Sequence, residues 1–190
     1  MSRTGVITDL TGHGPTLELV DGQLFYLLEP NPEVLSIDSI AYSLANLCRY
    51  TGHCKPFYSV AQHCYHVSSL VPPEHAVAGL FHDASEAFIG DLSRPLKDAL
   101  DTIAPGVIED VEGRIHAVIA ERFGFEYPFD PAIKQADNIA LATEKRDLMT
   151  RGLVDWPDLP DPDPRRLFPQ QPEVAALWFK ARAAQLGVPL

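Results

Sequence analysis

The chain has 190 residues, 46% hydrophobic and 22% charged, a balance that fits one globular domain with a real core. Its formal net charge of −11 repels polyanions and argues against extended nucleic-acid binding, and no apolar run approaches the roughly 18 residues that a membrane helix needs. Three cysteines without a Cys-x-x-Cys pair argue against a disulfide framework or zinc ribbon, and Met1-Ser2-Arg3-Thr4-Gly5 lacks the apolar core of a signal peptide, so a cytoplasmic location is expected.

Residues 5–30 read as short strands. Val6-Ile7-Thr8, Thr16-Leu17-Glu18-Leu19-Val20 and Leu24-Phe25-Tyr26-Leu27 are separated by turn residues, and Asp21-Gly22 predicts a hairpin. Beyond Pro30 and Pro32 the pattern turns helical. Ile40, Ala41, Leu44, Leu47 and Cys48 predict a helix over 37–49, capped by Ser36 or Asp38. Ser59-Val60-Ala61-Gln62 has the form of a capping box and opens a helix to about Leu70. Pro72-Pro73 ends it. A central helix is expected from near Glu74 to Ile89, with Ala76, Val77, Leu80, Phe81, Ala84 and Phe88 at helical spacing.

Gly90 to Lys97 reads as a loop or short helical turn. A long helix over 105–123 carries Val107, Ile108, Val111, Ile115, Val118, Ile119 and Phe123 as one stripe, expected in the core. Another runs from Pro131 to about Arg151, with proline in its first turn. The proline- and aspartate-rich stretch over 156–172 reads as an extended surface wrap. A last helix over 173–186 shows Val174, Leu177, Trp178 and Ala181 on one face. The expectation is a single domain over 1–190: a β-like flap (1–35), a helical core (36–151), then the wrap and C-terminal helix (152–190).

Three of these helices place an odd residue on an apolar face. His63 lies among Val60, Cys64 and Val67; His82 and Asp83 interrupt the central helix; Asp137 lies among Ile133, Ala140 and Leu141. Buried carboxylates are expensive unless paired or bound to metal. One such histidine would be unremarkable in a core, but two imidazoles and two carboxylates on successive inward faces predict one divalent ion. Mixed His/Asp ligation suits a divalent transition metal such as Mn²⁺, Fe²⁺, Co²⁺ or Zn²⁺ better than Ca²⁺; which divalent ion is bound, Mg²⁺ included, is left open by the sequence.

The pattern H…HD…D, carried by Phe57-Tyr58-Ser59-Val60-Ala61-Gln62-His63, His82-Asp83-Ala84-Ser85-Glu86, Gly90-Asp91-Leu92-Ser93-Arg94-Pro95-Leu96-Lys97 and Lys134-Gln135-Ala136-Asp137, resembles the HD-domain metal-dependent phosphohydrolases. The likeness covers roughly 37–151. It is nearest to the single-metal bacterial 5′-deoxynucleotidases and phage dATP triphosphohydrolases. The resemblance implies an all-α HD-domain helical bundle, here with a small N-terminal β-hairpin, and His63, His82, Asp83 and Asp137 as the metal ligands. It implies that Glu86 orients or activates the attacking water, that Lys97, Lys134 and Arg49 contact phosphate, and that Asp91 meets the sugar. It also implies a homo-oligomer, dimeric or higher. Two-metal members need extra histidines between the HD pair and the last Asp; His116 alone lies there, which favours one metal over a di-iron oxygenase.

The expected function is therefore hydrolysis of a small-molecule nucleotide by a metal-bound water. Either a dNMP yields deoxynucleoside and phosphate, or a dNTP yields deoxynucleoside and triphosphate. The alternative is a non-catalytic HD-fold module that holds a nucleotide; a water-activating Glu86 counts against it.

Overall fold

The computed structural model describes residues 14–150, 152, 156 and 158–189; the run Val6-Ile7-Thr8 and the helix end at Arg151 lie outside them. The architecture is a helical bundle with a small antiparallel hairpin at its N-terminal side. Strands β1 (Thr16–Glu18) and β2 (Leu24–Tyr26) pair with Thr16 opposite Tyr26 and Glu18 opposite Leu24. Asp21 Oδ1 accepts from the Gln23 amide at 3.1 Å, and Gly22 takes φ 82°, the left-handed region its missing Cβ permits. Phe25 is fully buried and stacks on Phe88 with ring centroids 4.0 Å apart, so the hairpin is docked on the helical core.

Helix α1 (Ile37–Asn46) starts at Ser36, whose hydroxyl accepts from the Ser39 amide. It stops three residues before the expected end. Arg49–Gly52 instead form a tight turn in which Tyr50, Thr51 and Gly52 all have positive φ (59°, 53° and 80°). A left-handed residue other than glycine costs roughly 1–2 kcal/mol, and a β-branched threonine there is a genuine outlier. Such strain persists where surroundings fix it, often at functional sites. Here the Arg49 amide donates to Tyr58 O at 2.9 Å and the Val60 amide to Leu47 O at 3.1 Å, which closes the turn.

Helix α2 (Val60–Leu70) begins at Ser59 as expected, with the Ser59 hydroxyl accepting from the Gln62 amide. The second half of the capping box is missing. Gln62 points its side chain outward to Phe168 O and the Gln170 amide, both at 2.9 Å. The central helix is two pieces, α3 (Ala76–Phe81) and α4 (Glu86–Ile89). Between them the chain tightens to i→i+3 bonds, such as the Glu86 amide to Asp83 O at 3.0 Å. At three residues per turn Asp83 and Glu86 eclipse one another.

Gly90 to Ser93 is loop, but Arg94–Ile103 form helix α5, opened by Pro95 in its first turn. Helix α6 (Val107–Phe123) buries Ile115, Ile119 and Phe123, whereas Val107 is exposed and Ile108 and Val111 are half-buried. The expected stripe is thus core only in its second half, because α6 begins beside the surface helix α5. Helix α7 (Pro131–Leu148) is capped by Asp130, which accepts from the Ala132 amide at 2.8 Å. Helix α8 (Pro172–Gln185) buries Ala175, Phe179 and Ala183, an i, i+4, i+8 row; Leu177 and Trp178 face outward, and Trp178 packs on Tyr65. The face expected from Val174, Leu177, Trp178 and Ala181 is therefore not the buried one.

Helix α2 lies against α1, α3, α7 and α8. Phe81 stacks on Phe123 and meets Phe179 edge-on, which fixes the end of α3 from which His82 and Asp83 project. Among the described residues, no helix is long and apolar enough to cross a membrane.

Candidate metal centre

Helices α2 and α7 and the α3–α4 junction converge on one point. His63 Nε2 lies 3.1 Å from His82 Nε2, 3.3 Å from Asp83 Oδ2 and 3.3 Å from Asp137 Oδ1. His82 Nε2 lies 3.3 Å from Asp83 Oδ2 and 4.0 Å from Asp137 Oδ1. With bonds of about 2.1 Å, adjacent donors around an octahedral ion stand about 3.0 Å apart. Four of the five spacings, 3.1–3.3 Å, lie near that value, and the His82–Asp137 spacing of 4.0 Å is wider.

The opposite ring nitrogens fix what the two Nε2 atoms are. His63 Nδ1 contacts Glu144 Oε1 at 2.6 Å, and His82 Nδ1 contacts Gly79 O at 2.9 Å. A carboxylate and a carbonyl can only accept, so both Nδ1 atoms carry hydrogen. In the neutral rings both Nε2 atoms are then bare lone pairs, facing each other and two carboxylates. No hydrogen bond joins two acceptors; a cation between them does. His63, His82 and Asp137 form a group positioned to hold a metal ion, as do Cys64, His82 and Asp83, and the two groups share His82. Burial, with Asp83 and Glu86 nearby, pushes the Cys64 thiol well above its usual range.

Glu144 is the residue that sequence reasoning missed. It is fully buried and accepts from Arg49 Nε at 3.0 Å, from the Tyr50 hydroxyl and from His63 Nδ1. Burial alone would raise its carboxyl, but Arg49 and His63 against it hold it well below the usual range. Burial and Arg49 likewise press His63 toward the neutral form, and Glu144, Asp137 and Asp83 outweigh them and raise it. A carboxylate behind a ligating imidazole orients the ring and raises its basicity, and loss of such partners typically costs 10–100-fold in metal affinity. Glu144→Gln is therefore expected to weaken Co²⁺ binding by about 10–100-fold, read by titration of the visible Co²⁺ spectrum. A signal was available: Glu144 follows Asp137 by seven residues, two turns along the same face of α7.

Two cavities open onto the centre and share Asp83, Glu86, Lys97, Lys134 and Asp137 in their walls. The larger, about 560 Å³, adds Arg49, Tyr50, Asp91, Pro95, Leu141 and Trp156. The smaller, about 270 Å³, adds His82, Glu112, His116, Tyr127 and Phe129. Every site residue expected from the sequence except buried His63 thus lines one of these cavities.

Their states differ. Arg49 is buried and also reaches Asp83 Oδ2 at 3.4 Å, as well as facing the larger cavity. Glu86 is buried, one of its oxygens has no partner, and burial with Asp83 and Asp91 nearby pushes its carboxyl well above the usual range. Asp91 is half-buried in the larger cavity and raised by burial. Lys97 Nζ is held by Glu112 Oε1 at 2.8 Å, and Lys134 Nζ by Asp137 Oδ2 at 2.6 Å, one turn away on α7. His116 is buried with Nε2 unpartnered, and burial lowers its pKa to about 4. Its cavity partners Tyr127 and Phe129 come from the α6–α7 loop, which no local pattern linked to the centre.

No profile of a known family matches the chain. Uncharacterized protein YfdR of Escherichia coli is 42% identical over 146 residues, which cover 75% of this chain and 78% of YfdR. An uncharacterized protein of Rhodobacter capsulatus is 32% identical over 139 residues, covering 66% of this chain and 69% of the relative.

Proposed function

We propose a function for this chain, which belongs to the family of Escherichia coli YfdR: it is a metal-dependent phosphohydrolase of the HD-domain kind, acting on the phosphate of a deoxynucleotide. The observation that carries this reading is the pair of imidazole Nε2 atoms 3.1 Å apart, with Asp83 and Asp137 oxygens 3.3 Å from His63, and with Glu86 lining the same cavity. His63, His82, Asp83 and Asp137 would hold one divalent ion, which would supply Lewis acidity and a water of lowered pKa. The residue set suits the borderline ions Mn²⁺, Co²⁺, Fe²⁺ and Zn²⁺.

The chain's own residues do the rest. The unpartnered Glu86 oxygen takes a proton from the attacking water as its oxygen bonds to phosphorus. Arg49, Lys97 and Lys134 ring the same space and offset the charge of the transferred phosphoryl group. Asp91 accepts from the sugar. Tyr50, Leu141 and Trp156 give the larger cavity an apolar wall suited to a base. The bond to the leaving oxygen breaks, giving a deoxynucleoside with phosphate, or with triphosphate when the α-phosphorus of a dNTP is attacked.

The test is a panel. Protein loaded with Mn²⁺ or Co²⁺ is incubated with dNMPs, dNTPs and ribonucleotides, and phosphate, pyrophosphate and triphosphate are scored separately. Metal-dependent release of phosphate or triphosphate from deoxynucleotides is expected. Saturable binding without turnover of any member would identify a nucleotide-holding module instead.

A further inference from the structure

The extended segment after α7 runs over the outside of the two helices that carry His63 and Asp137, and it is bonded to both. On α2, Gln62 donates to Phe168 O and accepts from the Gln170 amide, both at 2.9 Å, and His66 Nε2 donates to Asp163 Oδ2 at 3.0 Å. On α7, Thr143 Oγ1 accepts from the Asp163 amide at 2.8 Å, Arg146 donates to Asp163 O at 2.7 Å and Arg165 O at 2.9 Å, and Asp147 accepts from the Leu167 amide at 2.9 Å. Asp163 is the node: it is 5% exposed, and its side chain is also gripped by Arg165 at 2.8 Å.

The anchor points sit directly behind the metal ligands. Gln62 precedes His63, and His66 is one turn further along α2. Thr143 precedes Glu144, the carboxylate that holds His63 Nδ1. The inner faces of the same two helices are bridged by His63 to Asp137 at 3.3 Å and His63 to Glu144 at 2.6 Å. A shift of α2 against α7 alters both spacings at once, and metal bonds of about 2.0–2.2 Å tolerate little of it.

We infer that the strap over 163–170 is a clamp that sets the spacing of the metal ligands, with Asp163 and Gln62 as positioning residues that act through His66, Thr143 and the helices that bear them. The clamp rests on the metal reading of the centre. It does not depend on which substrate is used.

The test measures metal binding, not turnover. Wild type, Asp163→Ala, Asp163→Asn and Gln62→Leu are titrated with Co²⁺, well below the unfolding temperature of each metal-free protein. Working there keeps global unfolding from contributing to the apparent affinity. Asp163→Ala and Gln62→Leu are expected to bind Co²⁺ about tenfold more weakly, the lower end for outer partners of a metal site. Their visible Co²⁺ spectra should also be altered, reporting changed ligand geometry. Asp163→Asn keeps an acceptor for His66 and the backbone bonds to Thr143 and Arg146, and should fall nearer wild type. Should Asp163→Ala fail to fold, Gln62→Leu carries the test alone. Wild-type affinity and spectrum in the folded variants, with only the melting temperature lowered, would overturn the clamp. A wild-type protein that binds no Co²⁺ would overturn the metal reading and the clamp together.

Discussion

His82→Ala is expected to abolish divalent-metal binding and, with it, any metal-dependent turnover. The substitution removes one of two imidazole donors whose Nε2 atoms stand 3.1 Å apart, and His82 is the residue common to both groups positioned to hold a metal. Losing an outer partner of such a site typically costs 10–100-fold in affinity, and losing a ligand costs more. The fold should survive, because the packing at this end of α3 comes from the neighbouring Phe81, stacked on Phe123 and edge-on to Phe179. Circular dichroism checks the fold, Co²⁺ titration the binding and phosphate release the turnover. A folded His82→Ala protein with wild-type metal affinity would remove His82 from the ligand set.

Glu86→Gln separates chemistry from binding. Glu86 stands outside the four ligands but lines both cavities around them, and it has a buried oxygen without a partner. Glutamine keeps the shape and the acceptor oxygen and loses the ability to take a proton. The expected result is metal affinity close to wild type with kcat lower by about 10²–10⁴-fold, the usual contribution of a positioned general base. A matching loss of metal affinity would make Glu86 a ligand. Unchanged kcat would leave the proton to another group.

Much of this was written in the chain, and what was not has identifiable causes. The hairpin, the Ser36 and Ser59 caps and the Asp130-Pro131 start of α7 are local signals, and they recur in the structure within a residue or two. The convergence of His63, His82, Asp83 and Asp137 was legible because polar residues on apolar faces need a common explanation. Four features were hidden. The tightening between α3 and α4 leaves hydrophobic periodicity nearly unchanged, so the sequence reads as one helix. Gln62 is a sound capping-box residue whose side chain is taken by Phe168 and Gln170, more than a hundred positions away. Helix α8 turns inward on Phe179 flanked by the small Ala175 and Ala183, where α1 and α2 pack on it, whereas the sequence pattern pointed to Val174, Leu177, Trp178 and Ala181. Glu144 lay on the expected face of α7, but a glutamate between Thr143 and Lys145 carries no local mark of burial.

The most direct measurement titrates the metal-free protein with Mn²⁺ while hydrolysis of deoxynucleotides is followed. Turnover should rise linearly and level off at one equivalent per chain, with no turnover in His82→Ala at any metal level. Turnover without added metal, saturation only at two equivalents, or undiminished turnover in His82→Ala would contradict a single hydrolytic ion held by His63, His82, Asp83 and Asp137.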